Sequence, residues 1–599
     1  MALNMAEILF AIMLLGGLAL GNVTHQNSTY TNPILPGFHP DPSCIFVPSW
    51  DNTYFCASSS FNAFPGIPIH ASKDLRNWKL IGNAISRPEM LPKLATTIKD
   101  TSGIWAPTLR YREGSDSTNK NGSGHGEGRF WISTTLVFDN LAANNESRWD
   151  NFVVSTDDPF KPDSWTDPVH FDFGGYDTSL FWDDDGQVYV TGSHEYKVWP
   201  GIQTATINLE TGETGPWENP WNGTGGLAPE GPHLYKKDDY YYLMLAEGGT
   251  GEGHMVTMAR SRNINGPYEA APHNPVLSNA NTTAFFQAVG HADLFQDVHG
   301  SWWAVALSTR SGPDFKNYPM GRETVLTPVT WEKGQWPIFQ NASGITSGWG
   351  IPSEPILVSD GEGPYVDSPD HLTFPPNSTL PLHLIHWRLP TPDTYLVSPL
   401  GNENSLVLRS SVLNLTSTDG LSTSGKGQTF ISRRQTDSLF TYQLDINASN
   451  LRNKEDEVGV SVFLTEAYHF DVGIVLLPQP DKNDTSGELA PYFRFRGMSG
   501  YSVPETVFPF PQYLSIDSPI ALEIRAFNWT HYSFAAGPRD ARHLMQTYGI
   551  ARGEQLSAGF TGTLVGPYAT TNGRQGSQNG EFEVAVGNWT YLPQGQIIN

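Results

Sequence analysis

One short phrase recurs five times in this chain: a turn, then two bulky residues that open a strand. It reads Asp51-Asn52-Thr53-Tyr54-Phe55, Glu127-Gly128-Arg129-Phe130-Trp131, Asp185-Gly186-Gln187-Val188-Tyr189, Asp238-Asp239-Tyr240-Tyr241-Tyr242 and His299-Gly300-Ser301-Trp302-Trp303. The last residues of successive phrases are 76, 58, 53 and 61 apart. Recurrence of a turn followed by an aromatic strand predicts the blades of a β-propeller rather than helical repeats. Asp177, Glu230 and His291 stand twelve residues before Tyr189, Tyr242 and Trp303, and Asp41 stands fourteen before Phe55. If each phrase closes a hairpin, these four hold equivalent places near the start of the preceding strand. In a propeller that strand lines the axis, so ionisable groups from several blades would converge on one pocket.

At 599 residues the chain exceeds one ordinary core. The pattern divides it into a signal peptide (1–21), a propeller (32–358), a linker (359–380) and a β-sandwich (381–599). Residues 8–20 form an apolar run too short to span a bilayer comfortably, and Ala19-Leu20-Gly21 reads as a cleavage site, although Glu7 is unusual in the flank before such a run. Lys120 to Gly128 reads as a polar loop insertion. Past residue 381, Val458, Val460, Val462 and Leu464 alternate with other residues, as do Leu522, Ile524 and Ala526, then Phe582, Val584 and Val586. Such alternation predicts half-buried antiparallel strands.

Thirteen Asn-x-Ser/Thr sequons, from Asn22 to Asn588, support the reading of a secreted, extracellular, glycosylated eukaryotic protein. The only two cysteines, Cys44 and Cys56, fall on the two strands joined by the first repeated turn. They are expected to form a cross-strand disulfide. Two cysteines without a His cluster argue against a structural zinc site. The net charge of −25 disfavours nucleic acid and anionic membrane as partners. A neutral carbohydrate remains compatible, and no protein partner is inferred.

Each converging residue has a bland reading when taken alone. Asp41, between Pro40 and Pro42, could simply accept turn hydrogen bonds. Asp177 could bond Thr178 or Ser179, Glu230 could sit in a surface turn, and a lone His291 could be structural. Three carboxylates at matching repeat positions weigh differently. Glycoside hydrolysis needs one protonated and one ionised carboxyl flanking the bond. A third carboxylate beside the acid would raise its pKa and keep it protonated.

The segments Phe38 to Ser43, Gly103-Ile104-Trp105-Ala106-Pro107, Tyr176 to Phe181, Glu230 to Tyr235 and Met320-Gly321-Arg322-Glu323-Thr324 resemble glycoside hydrolase family 43. The resemblance continues through Phe430 to Gln435 and Phe560 to Thr570, in the family's appended sandwich. It implies an all-β fold, a five-bladed propeller followed by a concanavalin-like β-sandwich. It implies an inverting exo-glycosidase, β-xylosidase first and α-L-arabinofuranosidase second or in addition, acting on xylo-oligosaccharide or arabinoxylan. By match to the family's motifs, Asp41 would be the general base, Glu230 the general acid and Asp177 the group tuning that acid. Phe64, Trp105, His291 and Arg322 would bind the sugar. No cofactor is required; a calcium ion near His291, known in some members, is left open. Asp183-Asp184-Asp185-Gly186 lacks EF-hand spacing and reads as a turn. A fructosidase is disfavoured because His39-Pro40-Asp41-Pro42-Ser43 stands where an Asn-Asp-Pro-Asn type motif is expected. A non-catalytic carbohydrate-binding propeller would not need the acidic trio.

Overall fold

The recurring turns use residues that tolerate left-handed backbone. Asp51, Asn52, Asp238 and Asp239 have φ of 52, 53, 54 and 62°, and Gly186 and Gly300 have φ of 85 and 78°. Asp238 and Asp239 alone join Lys237 to Tyr240, a two-residue connection with both φ positive, which matches the right-handed twist of the flanking strands. In this computed structural model, residues 28–114, 128–194, 201–352, 354–417, 427–479 and 488–599 are described. The expected signal peptide, most of the expected loop insertion and the sequons at Asn22, Asn27, Asn121 and Asn483 lie outside them.

Each phrase opens the second strand of an antiparallel sheet, and the five sheets are the five blades. From the axis outward, the first blade runs Ser43–Val47, Thr53–Ala57, Gly66–Ser72 and Lys79–Ile85. The second runs Gly103–Glu113, Gly128–Val137, Trp149–Thr156 and Val169–Phe171, and the third Tyr176–Trp182, Val188–Ser193 and Ile202–Thr206. The fourth runs Glu230–Lys237, Tyr240–Glu247, Met255–Ser261 and Glu269–Ala270, and the fifth Phe286–Gln296, Trp302–Arg310, Glu323–Thr330 and Ile338–Phe339. The innermost strands neighbour one another in sequence around the ring, and the fifth meets the first. The chain seals the ring at its start. Ser28–Thr31 pairs with Ile345–Trp349, and Leu35 bridges to Thr324 on the fifth blade. Cys44 and Cys56 are directly opposed across the first hairpin, with Cα atoms 4.1 Å apart, and are disulfide-bonded.

The carboxy-terminal domain is a sandwich of two antiparallel sheets. One contains Tyr395–Val397, Leu406–Arg409, Glu583–Gly595, Leu439–Asn447, Ile520–Asn528, His531–Pro538 and Gln546–Arg552. The other contains Thr506–Pro509, Leu489–Met498, Tyr468–Pro478, Glu457–Thr465, Leu564–Thr570, Ile431–Arg434 and Ile385–Trp387. The alternating residues expected to face a core do so: Val458, Val460, Val462, Leu522, Ile524, Val584 and Val586 join one buried cluster. Full burial of each such side chain contributes roughly 1.5–3 kcal/mol.

The two domains share backbone. Ala63–Phe64, from the first blade, pairs with Ile385–Trp387 and so becomes the edge strand of a sandwich sheet. The stretch between the domains is held by both: Leu80 N donates to Pro364 O, and Asp370–Leu372 pairs with the last long strand. Backbones meet closely at Gly321 (φ 71°), where a Cβ would fall 1.7 Å from Thr561 O, and at Gly37 (φ 80°), where it would fall 2.0 Å from Gln435 O.

Candidate active site

The mouth of each inner strand is bent by the same device. Strand register slips at Trp105/Thr108, Tyr176/Ser179, Glu230/His233 and Gly290/Asp293. The first residue inside each slip has positive φ: Ala106 (39°), Asp177 (54°), Gly231 (57°) and His291 (49°). Asp41 (φ 51°), two residues before Ser43, holds the corresponding place in the first blade. A bulge of this kind ends regular pairing and re-aims side chains.

The pairing corrects one equivalence expected from sequence. Phe181 opposes Tyr189 and Phe295 opposes Trp303, each four residues after Asp177 and His291. Tyr235 opposes Tyr242 but lies five residues after Glu230. Gly231 therefore occupies the place of Asp41, Asp177 and His291. Glu230 is one residue nearer the mouth, level with Trp105 and Tyr176. The hairpin through Asp238 and Asp239 has a shorter connection than the others, and this produces the offset.

The four ionisable residues nevertheless line a common pocket of about 400 Å³. Asp41 Oδ2 accepts a 2.6 Å hydrogen bond from Ser59 Oγ, and Ser59 Oγ in turn accepts from the Ala106 N–H. His291 Nδ1 lies 3.6 Å from Asp41 Oδ1 and 4.0 Å from Asp177 Oδ2. The Gly231 N–H donates to Asp177 Oδ2 at 3.0 Å, and the Tyr176 hydroxyl donates to Glu230 Oε2 at 2.9 Å. Asp177 is therefore linked to the backbone beside Glu230 on one side and stands near His291 on the other.

Burial pushes the Asp177 carboxyl well above the ordinary carboxylate range, and the negative charges of Glu230 and Asp41 push the same way. Asp177 therefore holds its proton more tightly than an ordinary carboxyl does. Burial keeps His291 below its ordinary value despite Asp41, and holds His254, another pocket residue, at about 3 with help from Arg322 and His291. Both imidazoles are therefore neutral near pH 7.

An aromatic wall encloses the acids. Trp105 meets Tyr176 edge-on at 5.8 Å, and Tyr176 stacks on Trp149 at 5.1 Å. Phe61 lies 6.0 Å from Trp105. Phe560, from the sandwich, completes the wall, 5.9 Å from Phe61 and 6.3 Å from Trp105. Arg322 packs its guanidinium 4.3 Å from the Phe560 ring centroid and donates through Nη2 to Thr250 O. Such a surface suits a sugar, offering aromatic faces to C–H patches and a fork of donors to hydroxyls.

Asp41, Asp177, Glu230, Trp105, His291 and Arg322 thus come together, but Phe64 does not. It is 4% exposed, belongs to the core of the first blades and pairs with His386 of the sandwich. Phe61, three residues earlier, takes the wall position because its backbone bridges to Ile104, next to Trp105. Tyr176, His254 and Phe560 were not singled out from sequence. Tyr176 could have been found, since it occupies the position just before Asp177 in the quoted motif.

Below the pocket the axis is plugged by ion pairing. Arg110 donates to both oxygens of Asp293, at 2.7 and 3.1 Å, and Ser43 and Tyr235 donate to the same carboxylate. Burial pushes Asp293 upward, but Arg110, His233 and Ser43 outweigh it and hold it at about 2. Among the described residues, no group of three or more His, Cys, Asp or Glu could hold a metal ion, so calcium near His291 gains no support from them.

Residues 30–337 match the family model "Glycosyl hydrolases family 43", and residues 377–585 match "Beta xylosidase C-terminal Concanavalin A-like domain". A non-reducing end α-L-arabinofuranosidase of Bacteroides ovatus is 32% identical over 581 residues, 96% of this chain and 97% of that one. A xylosidase/arabinosidase of Humicola insolens is 37% identical over 319 residues, 52% of this chain and 55% of that one. Among solved structures, a family 43 protein of Bacillus licheniformis superposes with a TM-score of 0.76 at 27% identity, covering 95% of this chain and all of the other.

Proposed function

Because the chain belongs to glycosyl hydrolase family 43 and is a glycoside hydrolase, we propose that its pocket removes terminal pentose units from xylan- or arabinan-derived oligosaccharides with inversion at the anomeric carbon. The observation that carries this reading is the convergence of Asp41 and Glu230, from the first and fourth blades, on one aromatic-walled pocket. Asp41, held by Ser59, accepts a proton from a water that attacks the anomeric carbon. Glu230 gives its proton to the departing glycosidic oxygen as the C–O bond breaks. Asp177 keeps that proton available, because two neighbouring buried carboxyls resist ionising together. Neutral His291 stands beside Asp41 and helps to fix its orientation. Arg322 offers hydroxyl-directed donors, and Trp105, Phe61 and Phe560 hold the ring.

β-Xylosidase activity is the first reading. The match of residues 377–585 to a β-xylosidase carboxy-terminal domain supports it, as does the xylosidase/arabinosidase relative. α-L-Arabinofuranosidase activity is the second, favoured by the Bacteroides relative that aligns over nearly the whole chain. Nitrophenyl β-xyloside and nitrophenyl α-L-arabinofuranoside, offered to the purified protein, separate the two. Faster release from the xyloside is expected, faster release from the arabinofuranoside selects the second reading, and release from neither contradicts both.

The protein is proposed to act outside the cell. Of the sequons among the described residues, those at Asn145, Asn222, Asn281, Asn341, Asn377 and Asn588 are exposed and those at Asn414, Asn447 and Asn528 half-buried, which supports the reading that several can be modified. A mass loss after enzymatic deglycosylation of the protein from a eukaryotic host is expected; no loss would contradict it.

A further inference from the structure

A second cavity lies between the domains, lined by His39, His70, His383, Arg433, Arg434 and Thr436 together with the chain near Tyr365. Its volume is about 40 Å³, room for one to three water-sized groups. Its wall is rich in cations. Arg433 is balanced, since its Nη1 lies 2.9 Å from Asp370 Oδ2. Arg434 is 6% exposed and forms no ion pair with a carboxylate among the described residues; its Nε donates to Phe38 O and its guanidinium lies 5.3 Å from the Phe38 ring. Among the described residues, five buried nitrogens of this wall have no hydrogen-bond partner: Arg434 Nη2, His70 Nδ1, both ring nitrogens of His383 and Arg433 Nη1. Of these, His383 Nε2 and Arg433 Nη1 lie within ion-pair distance of Asp370, which leaves Arg434 Nη2, His70 Nδ1 and His383 Nδ1 unserved. A buried guanidinium without a counter-charge is costly, as are orphaned donors.

We propose that this cavity binds a small monovalent anion of the halide class, contacted by Arg434 and by the His70 N–H. The volume excludes large polyanions, and the unbalanced positive charge favours an anion over water. Burial, with Arg434 nearby, keeps His70 near 3 and therefore neutral, so it serves as a neutral donor. The site would bear on catalysis through the backbone. Phe38, whose carbonyl Arg434 holds, is three residues before Asp41, and the His39 N–H donates to Arg322 O. A halide there would fix the segment carrying the proposed base against the sandwich.

Diffraction from wild-type crystals soaked in bromide, with anomalous differences, and thermal unfolding at constant ionic strength in bromide against gluconate test this together. The expected result is a bromide peak beside Arg434 Nη2 and a saturable rise in Tm on the order of 1–3 °C that Arg434→Met lacks. Absence of the peak, or equal Tm in both salts for the wild type, would overturn the proposal. Neither of those two readings requires the variant to fold.

Discussion

At the residue scale, the roles proposed for Asp41 and Glu230 differ in chemistry, and the two substitutions should differ accordingly. Asp41→Asn should lose all substrates alike, by at least the ~10²–10⁴-fold usual for a general base. Comparable turnover in the purified variant would contradict that role. Glu230→Gln removes a transferable proton but keeps size and polarity. It should cost much on xylobiose, whose leaving alkoxide needs protonation, and little on a dinitrophenyl xyloside. Equal losses on both would count against the acid. Asp177 makes a separate claim on stability. Its folded-state pKa is raised by burial, so the folded protein holds that proton above the ordinary value of 3.8 and loses stability as pH climbs through the raised value. Asp177→Asn should therefore match wild type in Tm below about pH 4 and exceed it increasingly toward neutrality. A difference independent of pH would contradict the assigned burial cost. Three carboxylates were legible because each stands beside proline, glycine or an aromatic strand, where ordinary propensity does not explain it. The one-residue shift of Glu230 was not, since it depends on a connection length that only the pairing of Tyr235 with Tyr242 reveals.

At the scale of elements, the five phrases located five second strands because turn chemistry and strand pattern are local signals. The second wall of the pocket is not local. Phe560 reaches Trp105 from a different domain, and no spacing in the sequence relates them. Phe64 drew attention by its motif, but its strand is recruited by Ile385–Trp387 and turns it into the core. Phe560→Ala should reduce kcat/KM about 3- to 30-fold through loss of the sugar face and of the Arg322 contact. An unchanged value would remove Phe560 from the site. The first hairpin carries its own test. Peptide mapping without reductant should recover Cys44 and Cys56 linked; two alkylatable thiols would contradict the bond. Its short loop of separation 12 makes it worth roughly 2–3 kcal/mol.

At the scale of the whole molecule, the sandwich contributes to the wall of the pocket and is packed tightly against the propeller. It supplies Phe560 to the pocket and Arg434 to the segment that carries Asp41, and it packs backbone to backbone against Gly37 and Gly321. The blade order and the sandwich core were readable from repetition and alternation; the docking of one on the other was not, because it rests on single glycines and contacts hundreds of residues apart. All of this geometry serves one central claim, that a water activated by Asp41 attacks the anomeric carbon directly while Glu230 protonates the leaving group. Proton NMR of the first product formed from an aryl β-xyloside tests that claim most directly. The account predicts that α-xylose appears first and β-xylose follows only by mutarotation; β-xylose as the initial product would contradict it.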